Sequence, residues 1–171
     1  MGNSARVFSA RMVRRSEYVA EALNNLGIVC GVKVGDTLAR MTPIDTGAAK
    51  SNWNASLGGR SLSLQYGAYA KGKYGSTDAA NEAGTKQHVR AVFGGRNNNE
   101  NMFLSNSLPY ISRLNQSYST IKRKYPPAQL PPPRYKSGFV QVAIERGRLR
   151  VRKNNMIKNA LNYRKPRKVV R

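Results

Sequence analysis

The alternation of apolar and polar positions predicts a long amphipathic helix near the start of the chain. Over residues 16–41 apolar side chains recur at intervals of three and four, the spacing that places them on one face of an α-helix. They are Val19, Leu23, Leu26, Cys30, Val34, Leu38 and Met41. Ser16 followed by Glu17 is typical of a helix N-terminus. Pro43 ends the helix, because its ring removes a backbone donor and pushes Thr42 towards extended geometry.

The same helix carries a second strip, made of small residues. Gly27, Gly31 and Gly35 are spaced four apart, and each costs about 0.5–1 kcal/mol relative to alanine in a helix interior. One interpretation is that another backbone approaches this strip closely, so that the glycines serve subunit packing. The other is that the glycines are tolerated in a helix held by its opposite face.

Shorter elements follow the proline. Residues 53–67 alternate around a pair of glycines, a pattern that predicts a two-stranded hairpin. Residues 78–93 predict a helix with Thr77 as its N-cap, and residues 102–108 predict a third strand. Pro109 stands where a short helix can begin.

The last third of the chain combines a proline-rich stretch with an ambiguous segment. Residues 125–136 contain five prolines and must be largely extended, either as an arm that lies on a partner or as a spacer. Val140, Val142 and Ile144 alternate as in a strand, whereas the residues after 155 have helical spacing. The spacing alone therefore divides this segment into a strand and a helix.

The charge of the chain is strongly unbalanced. Thirty Lys and Arg stand against eight Asp and Glu, which gives a net charge of +22. Residues 86–171 hold twenty of the basic residues and only two of the acidic ones, so the positive field is concentrated in the second half. Such a composition favours a polyanionic partner or an acidic neighbouring protein surface.

The densest basic run supplies candidate contacts for DNA or for an acidic partner. It comprises Arg146, Arg148, Arg150, Arg152 and Lys153. A solvated basic face explains the same run equally well, since charge runs often have no partner. Because the sequence holds no recognisable base-reading motif, any contact with nucleic acid is expected to be with the phosphate backbone.

Residues able to carry out catalysis are scarce. Cys30 and His88 are the only cysteine and histidine, so they can neither fill a zinc site nor form an intrachain disulfide. A thiol nucleophile with its base is one interpretation of this pair. The positions favour a core cysteine and a solvated histidine instead, because Cys30 lies on the apolar stripe and His88 in a polar stretch. We therefore expect no enzyme activity, no cofactor and no metal.

Three sequence blocks in a fixed order resemble a known family. The first is TPIDTGAAKSNW at residues 42–53, the second is MFLSNSLPYISRLNQSYS at residues 102–119, and the third is SGFVQVAI at residues 137–144. Together they resemble the neck or tail-completion component family of tailed double-stranded-DNA phages. The ordered set across residues 16–144, and no single block, makes the resemblance specific.

The blocks assign structural roles to individual residues. The expected turn residues and core anchors are Pro43, Asp45, Thr46, Gly47, Trp53, Asn106, Pro109 and Tyr110. In the first block Asp45 accepts hydrogen bonds from its own turn, Gly47 takes the positive φ of the corner, and Trp53 anchors the following strand. The family's Leu-Glu-x-Gly-Ser pattern after the second block is absent, because Leu114 is followed by Asn115.

The resemblance implies an α+β fold. A long N-terminal helix and a C-terminal helix pack on a small, mainly antiparallel sheet, with an extended proline-rich arm, and a helix is favoured over a strand after Gly138. The expected organisation is a basic segment at 1–15, the first part of the core at 16–119, the arm at 120–136, the C-terminal helix at 137–161 and a basic tail at 162–171.

The function that the resemblance implies is structural. Such a protein forms a hexameric or dodecameric ring around the DNA channel of the virion neck or tail and joins adjacent neck, connector and tail proteins. It contacts lumenal DNA through phosphates and is assembled in the host cytoplasm. No membrane partner is expected, because no stretch approaches the roughly 20 apolar residues that span a bilayer. The alternative is a non-sequence-specific nucleic-acid-binding protein of the ribosomal or nucleoid type, which explains the charge but not the ordered blocks.

Overall fold

The computed structural model describes residues 2–43, 46–64, 72, 76–97, 100–116, 138–153 and 155. Asp45, the arm expected at 120–136 and the tail expected at 162–171 lie outside the described residues. The described elements, in chain order, are α1 (Gly2–Met41), α2 (Ala48–Ser51), β1 (Asn54–Leu57), α3 (Asp78–Gly94), β2 (Met102–Ser105), α4 (Ile111–Gln116) and α5 (Phe139–Arg152). The fold is α+β, with long N-terminal and C-terminal helices and a small antiparallel sheet, as predicted.

The first helix begins at Gly2, well before the Ser16 predicted as its N-cap. Ser16 lies inside α1, where its Oγ donates to the carbonyl oxygen of Val13 at 2.7 Å. Serine in a helix interior often bonds to the preceding turn in this way. The residues before it include Ala, Arg and Met, which are good helix formers, and no proline interrupts them. The N-cap prediction was therefore wrong.

The glycine strip of α1 is filled from within the chain. A Cβ added at Gly35 would lie 2.5 Å from Cγ1 of Val89, and one added at Gly31 would lie 2.9 Å from the ring of Phe93, both on α3. Gly27 faces the residues just after α3 and those of β2. The close approach that these glycines permit is with α3, β2 and the residues between them in the same chain.

Replacing Gly35 by alanine is expected to lower the free energy of unfolding by about 1–3 kcal/mol, because Val89 must move to admit the methyl group. Gly84 of α3 is the matched control, since a Cβ there would meet no atom within 4 Å. Its replacement by alanine is expected to stabilise the fold by about 0.4–1 kcal/mol. Urea unfolding of both variants measures the difference, and shifts of the same sign and size would contradict the packing of α1 against α3.

The two strands pair antiparallel, with Asn54 opposite Ser105 and Leu57 opposite Met102. The hairpin predicted at residues 53–67 is wrong, because residues 61–64 form no strand and β1 takes β2 as its partner. The glycine pair does make a turn, and Gly58 has a φ of 73°.

Packing explains the choice of strand partner. β2 brings Met102 and Leu104 against a cluster formed by Ala55, Val89 and Phe93. The segment after the glycine pair instead returns over β1 through side-chain bonds, such as the one that the amide of Asn54 donates to the carbonyl oxygen of residue 63 at 2.7 Å. Burial of apolar surface on α3 therefore outweighs the proximity of the local hairpin.

Two of the apolar clusters among the described residues hold the long helices together. One lies between α1, β1 and α5 and contains Leu38, Met41, Trp53, Phe139, Val142 and Ala143. The other is the cluster between α3 and the sheet. The first half of α1 extends beyond both clusters, and residues 4–18 are exposed. None of the described helices has a stretch that is long and apolar enough to cross a membrane.

Residues 139–152 are helical, so the strand predicted there from spacing is wrong and the helix favoured by the resemblance is found. This helix ends at Arg152, before the predicted end at residue 161. Its N-terminus is capped from α4, because Oδ1 of Asn115 accepts a hydrogen bond from the backbone N–H of Val140 at 3.0 Å. Gly138 fits against Asn115, where a Cβ would collide with the backbone carbonyl. The residue at which the sequence departs from the family pattern thus positions α5.

Candidate functional site

The first and third sequence blocks meet at one buried indole near the C-terminal end of α1. Nε1 of Trp53 donates to Oγ1 of Thr42 at 2.8 Å, and Oγ1 of Thr42 donates to the carbonyl oxygen of Leu38 at 2.7 Å. The indole meets the ring of Phe139 edge-on, with centroids 6.3 Å apart and planes at 87°. We call Thr42, Trp53 and Phe139 the Trp53 junction. It ties the end of α1 to the start of β1 and the start of α5.

The turn before the junction has the geometry of a fixed corner. Pro43 is buried directly after α1, and Gly47 is buried with a φ of 98°, in the left-handed region that favours glycine. Thr46 is exposed, and its carbonyl oxygen accepts a hydrogen bond from the N–H of Gly72 at 3.3 Å. The hydrogen bonds predicted for Asp45 lie outside the described residues.

The second block divides into a buried and an exposed part. Nδ2 of Asn106 donates to the carbonyl oxygen of Ala49 at 2.9 Å, and its Oδ1 accepts from the N–H of Leu108 at 3.3 Å, which ties the end of β2 to α2. Leu108 is buried. Pro109 and Tyr110 are exposed and form the turn into α4, so they are turn residues and not core anchors.

A buried lysine was missed by the sequence reasoning. The side chain of Lys50 in α2 is only 2% exposed, and its ammonium pairs with the carboxylate of Asp78, which is 47% exposed. Thr85 donates to the carbonyl oxygen of Lys50 at 3.0 Å. This ion pair fastens α2 to α3. No sequence signal marks it, because a single lysine among small polar residues is usually solvated.

Cys30 and His88 are held by different neighbours. Sγ of Cys30 faces Gly147 of α5, and burial raises the pKa of this thiol above its ordinary value. Nε2 of His88 accepts a hydrogen bond from the backbone N–H of Ala55 at 3.2 Å, so the imidazole is half-buried and supports β1, and is not the solvated histidine predicted. Cys30 therefore faces α5 and His88 faces β1, so the two side chains do not form a thiol–base pair. Within the described ranges no three His, Cys, Asp or Glu are grouped as a metal site requires.

The helical structure of α5 divides the basic run into two faces. Arg146, Arg150 and Lys153 follow helical spacing and line a shallow groove shared with α1. Arg148 and Arg152 are exposed away from it, and Arg148 lies 4.0 Å from the carboxylate of Glu145. The basic run therefore separates into residues that line the groove and residues that do not.

We call this surface the α1–α5 groove. Its lining residues are Ile28, Val29, Val32, Lys33, Asp36, Arg146, Leu149, Arg150 and Lys153. Oδ2 of Asp36 accepts a hydrogen bond from Nη2 of Arg90 at 2.8 Å. The groove thus combines exposed positive charge with apolar side chains. Among its apolar side chains, Leu149 is 41% exposed.

The projecting half of α1 is a second candidate interaction surface. Large apolar side chains are exposed on several sides of it, namely Val7, Phe8, Met12, Val13 and Tyr18. Four arginines share the same segment. Apolar residues exposed around a helix are typical of a surface that another protein covers.

Comparison with known proteins finds no relative for this chain. No protein-family model, no curated protein and no solved structure matches it.

Proposed function

We propose that this chain is a structural protein of the neck or tail-completion region of a tailed phage virion. It forms a hexameric or dodecameric ring around the DNA channel and joins adjacent neck, connector and tail proteins through interfaces. The observation that carries the proposal is the meeting of the first and third family-like blocks at the Trp53 junction, with Leu104, Ile111 and Leu114 of the second block packed against the same cluster. A closed ring requires subunits of one fixed shape, because the rotations from each subunit to the next must add up to a full turn.

The projecting half of α1 supports the proposal of an oligomer. Residues 2–21 extend about 30 Å at 1.5 Å per residue. Because most helical stability in proteins comes from tertiary packing, we expect a neighbouring subunit to cover this exposed segment. The exposed Phe8 and Met12 are four residues apart on one face and form the centre of this contact.

The charge supports a place beside DNA or acidic proteins. A net charge of +22 on each subunit makes the subunits of a ring repel one another, and an anionic partner lowers this repulsion. Phosphates in the channel and acidic surfaces of adjoining rings both provide the counter-charge.

A free nucleic-acid-binding protein is the second candidate. It is favoured by the exposed arginines of α5 outside the groove, Arg148 and Arg152. Such a protein needs no ring, and its affinity for any duplex falls steeply as salt is added.

Native mass spectrometry and negative-stain electron microscopy of the purified chain separate the two candidates. We expect closed rings of six or twelve subunits, and we expect Phe8→Ser combined with Met12→Ser to abolish the rings while circular dichroism shows a folded monomer. Leu62→Ser is the matched control, because Leu62 is as exposed as Phe8 but lies outside α1. A wild-type chain that stays monomeric and binds duplex DNA in a strongly salt-dependent manner would favour the second candidate.

A further inference from the structure

We infer that the α1–α5 groove docks an acidic amphipathic segment of a neighbouring protein, and not DNA. The inference rests on the proposed function for the origin of the partner, since it assigns one surface of the neck protein to a protein contact. The apolar and charged side chains of the groove favour carboxylates on a protein over the phosphates of DNA.

The apolar lining favours a protein partner. Val29 and Val32 are half-buried in the groove wall, and Leu149 is 41% exposed. The phosphate backbone of DNA has no apolar side chain to cover them, and phosphate contacts are made by charged and polar groups. A peptide with Leu or Ile on one face buries these residues and gains about 25 cal/mol for each Å² of apolar surface removed from water.

The charges favour carboxylates beside those apolar groups. Lys33 on α1, Arg150 on α5 and Lys153 directly after α5 are exposed at the groove. Separate carboxylates on a peptide can be spaced to meet these three cations while its apolar side chains cover the groove wall.

The dimensions fit a short helical segment. From Ile28 to Asp36 the wall formed by α1 is about 12 Å long at 1.5 Å per residue, which corresponds to about two turns of a partner helix. Anchors at i, i+3 or i+4 and i+7 are the usual way in which an amphipathic helix occupies such a groove.

Fluorescence anisotropy with a labelled peptide tests the inference in the full chain. The probe is a synthetic Leu/Glu peptide with helical amphipathic spacing. A scrambled peptide of the same composition and a random-sequence DNA duplex serve as comparisons. Two matched pairs of variants lie on α5: Leu149→Ser with its control Ile144→Ser, and Arg150→Glu with its control Arg148→Glu. Ile144 and Arg148 are exposed but do not line the groove.

We expect Leu149→Ser and Arg150→Glu each to weaken peptide binding about tenfold, which is about 1.4 kcal/mol, while each control changes it less than about twofold. The scrambled peptide should bind more weakly than the amphipathic one. Duplex binding should respond equally to Arg150→Glu and Arg148→Glu and should not respond to Leu149→Ser. Lys33→Glu provides the same test from α1 if a substitution in α5 disturbs the helix.

Three outcomes would overturn the inference: no binding of the amphipathic peptide, equal effects of Leu149→Ser and Ile144→Ser, or duplex binding that depends on Arg150 and not on Arg148. The last outcome assigns the groove to DNA. Ring formation is scored separately by electron microscopy. Rings without groove-dependent peptide binding would remove this inference alone, whereas groove-dependent binding by a permanent monomer would remove the proposed neck function and leave the groove assignment standing.

Discussion

Replacing Trp53 by alanine is expected to lower the free energy of unfolding by about 3–5 kcal/mol. The indole is 6% exposed and contacts the ring of Phe139, so its removal opens a cavity where α1, β1 and α5 meet. It also leaves Oγ1 of Thr42 without its donor. Because small domains have only about 5–15 kcal/mol of stability, this single change removes a large part of it.

A second substitution separates the two contributions of Trp53. Phenylalanine keeps an aromatic ring against Phe139 but cannot donate to Thr42, so Trp53→Phe is expected to cost less than Trp53→Ala. The hydrogen bond contributes about 0.5–1.5 kcal/mol of that smaller cost. Leu62→Ala is the control, because its side chain is 65% exposed. Urea unfolding measures all three, and equal losses for Trp53→Ala and Leu62→Ala would contradict the Trp53 junction.

Replacing Asp78 by alanine is expected to lower the free energy of unfolding by about 2–4 kcal/mol, because it leaves the buried ammonium of Lys50 without its counter-ion. Nζ of Lys50 also lies 3.5 Å from the carbonyl oxygen of Arg40. Partial exposure of Asp78 places the expected loss somewhat below that of a fully buried pair. The reverse change, Lys50→Met, is expected to cost about 1 kcal/mol or less, since the carboxylate left behind still reaches water.

A double-mutant cycle tests this asymmetry. Asp78→Ala combined with Lys50→Met should recover most of the stability lost in Asp78→Ala alone, because no buried charge remains. Glu82→Ala is the control on the same helix, as it removes an ordinary pair with Lys86 at i, i+4 and should cost about 0.5 kcal/mol. Additive effects of the Asp78 and Lys50 substitutions would show that the two side chains are not coupled.

Local chemistry in the sequence predicts the corners of the fold well. Proline stops a helix and glycine accepts positive φ whatever surrounds them, so the end of α1 near Pro43 and the left-handed Gly47 follow from the residues alone. The helix that begins at Asp78 is found as predicted, with one more residue at its end. Periodic spacing over many residues is a strong helix signal.

Features decided by tertiary contacts could not be predicted in this way. The glycine pair after β1 signals a local hairpin, but the apolar face of α3 selects β2 as the strand partner. Alternating arginines in α5 are equally compatible with a strand and with two faces of a helix, and the packing of Phe139 and Val142 into the core decides between them. Lys50 gives no signal at all, because its counter-ion is distant in sequence.

The protein composition of purified phage particles tests the central claim most directly. If the chain is a ring-forming neck or tail-completion component, mass spectrometry of intact DNA-filled particles detects it at six or twelve copies, and gold-labelled antibody marks the junction of head and tail. Infectious particles that contain none of this chain would contradict the account.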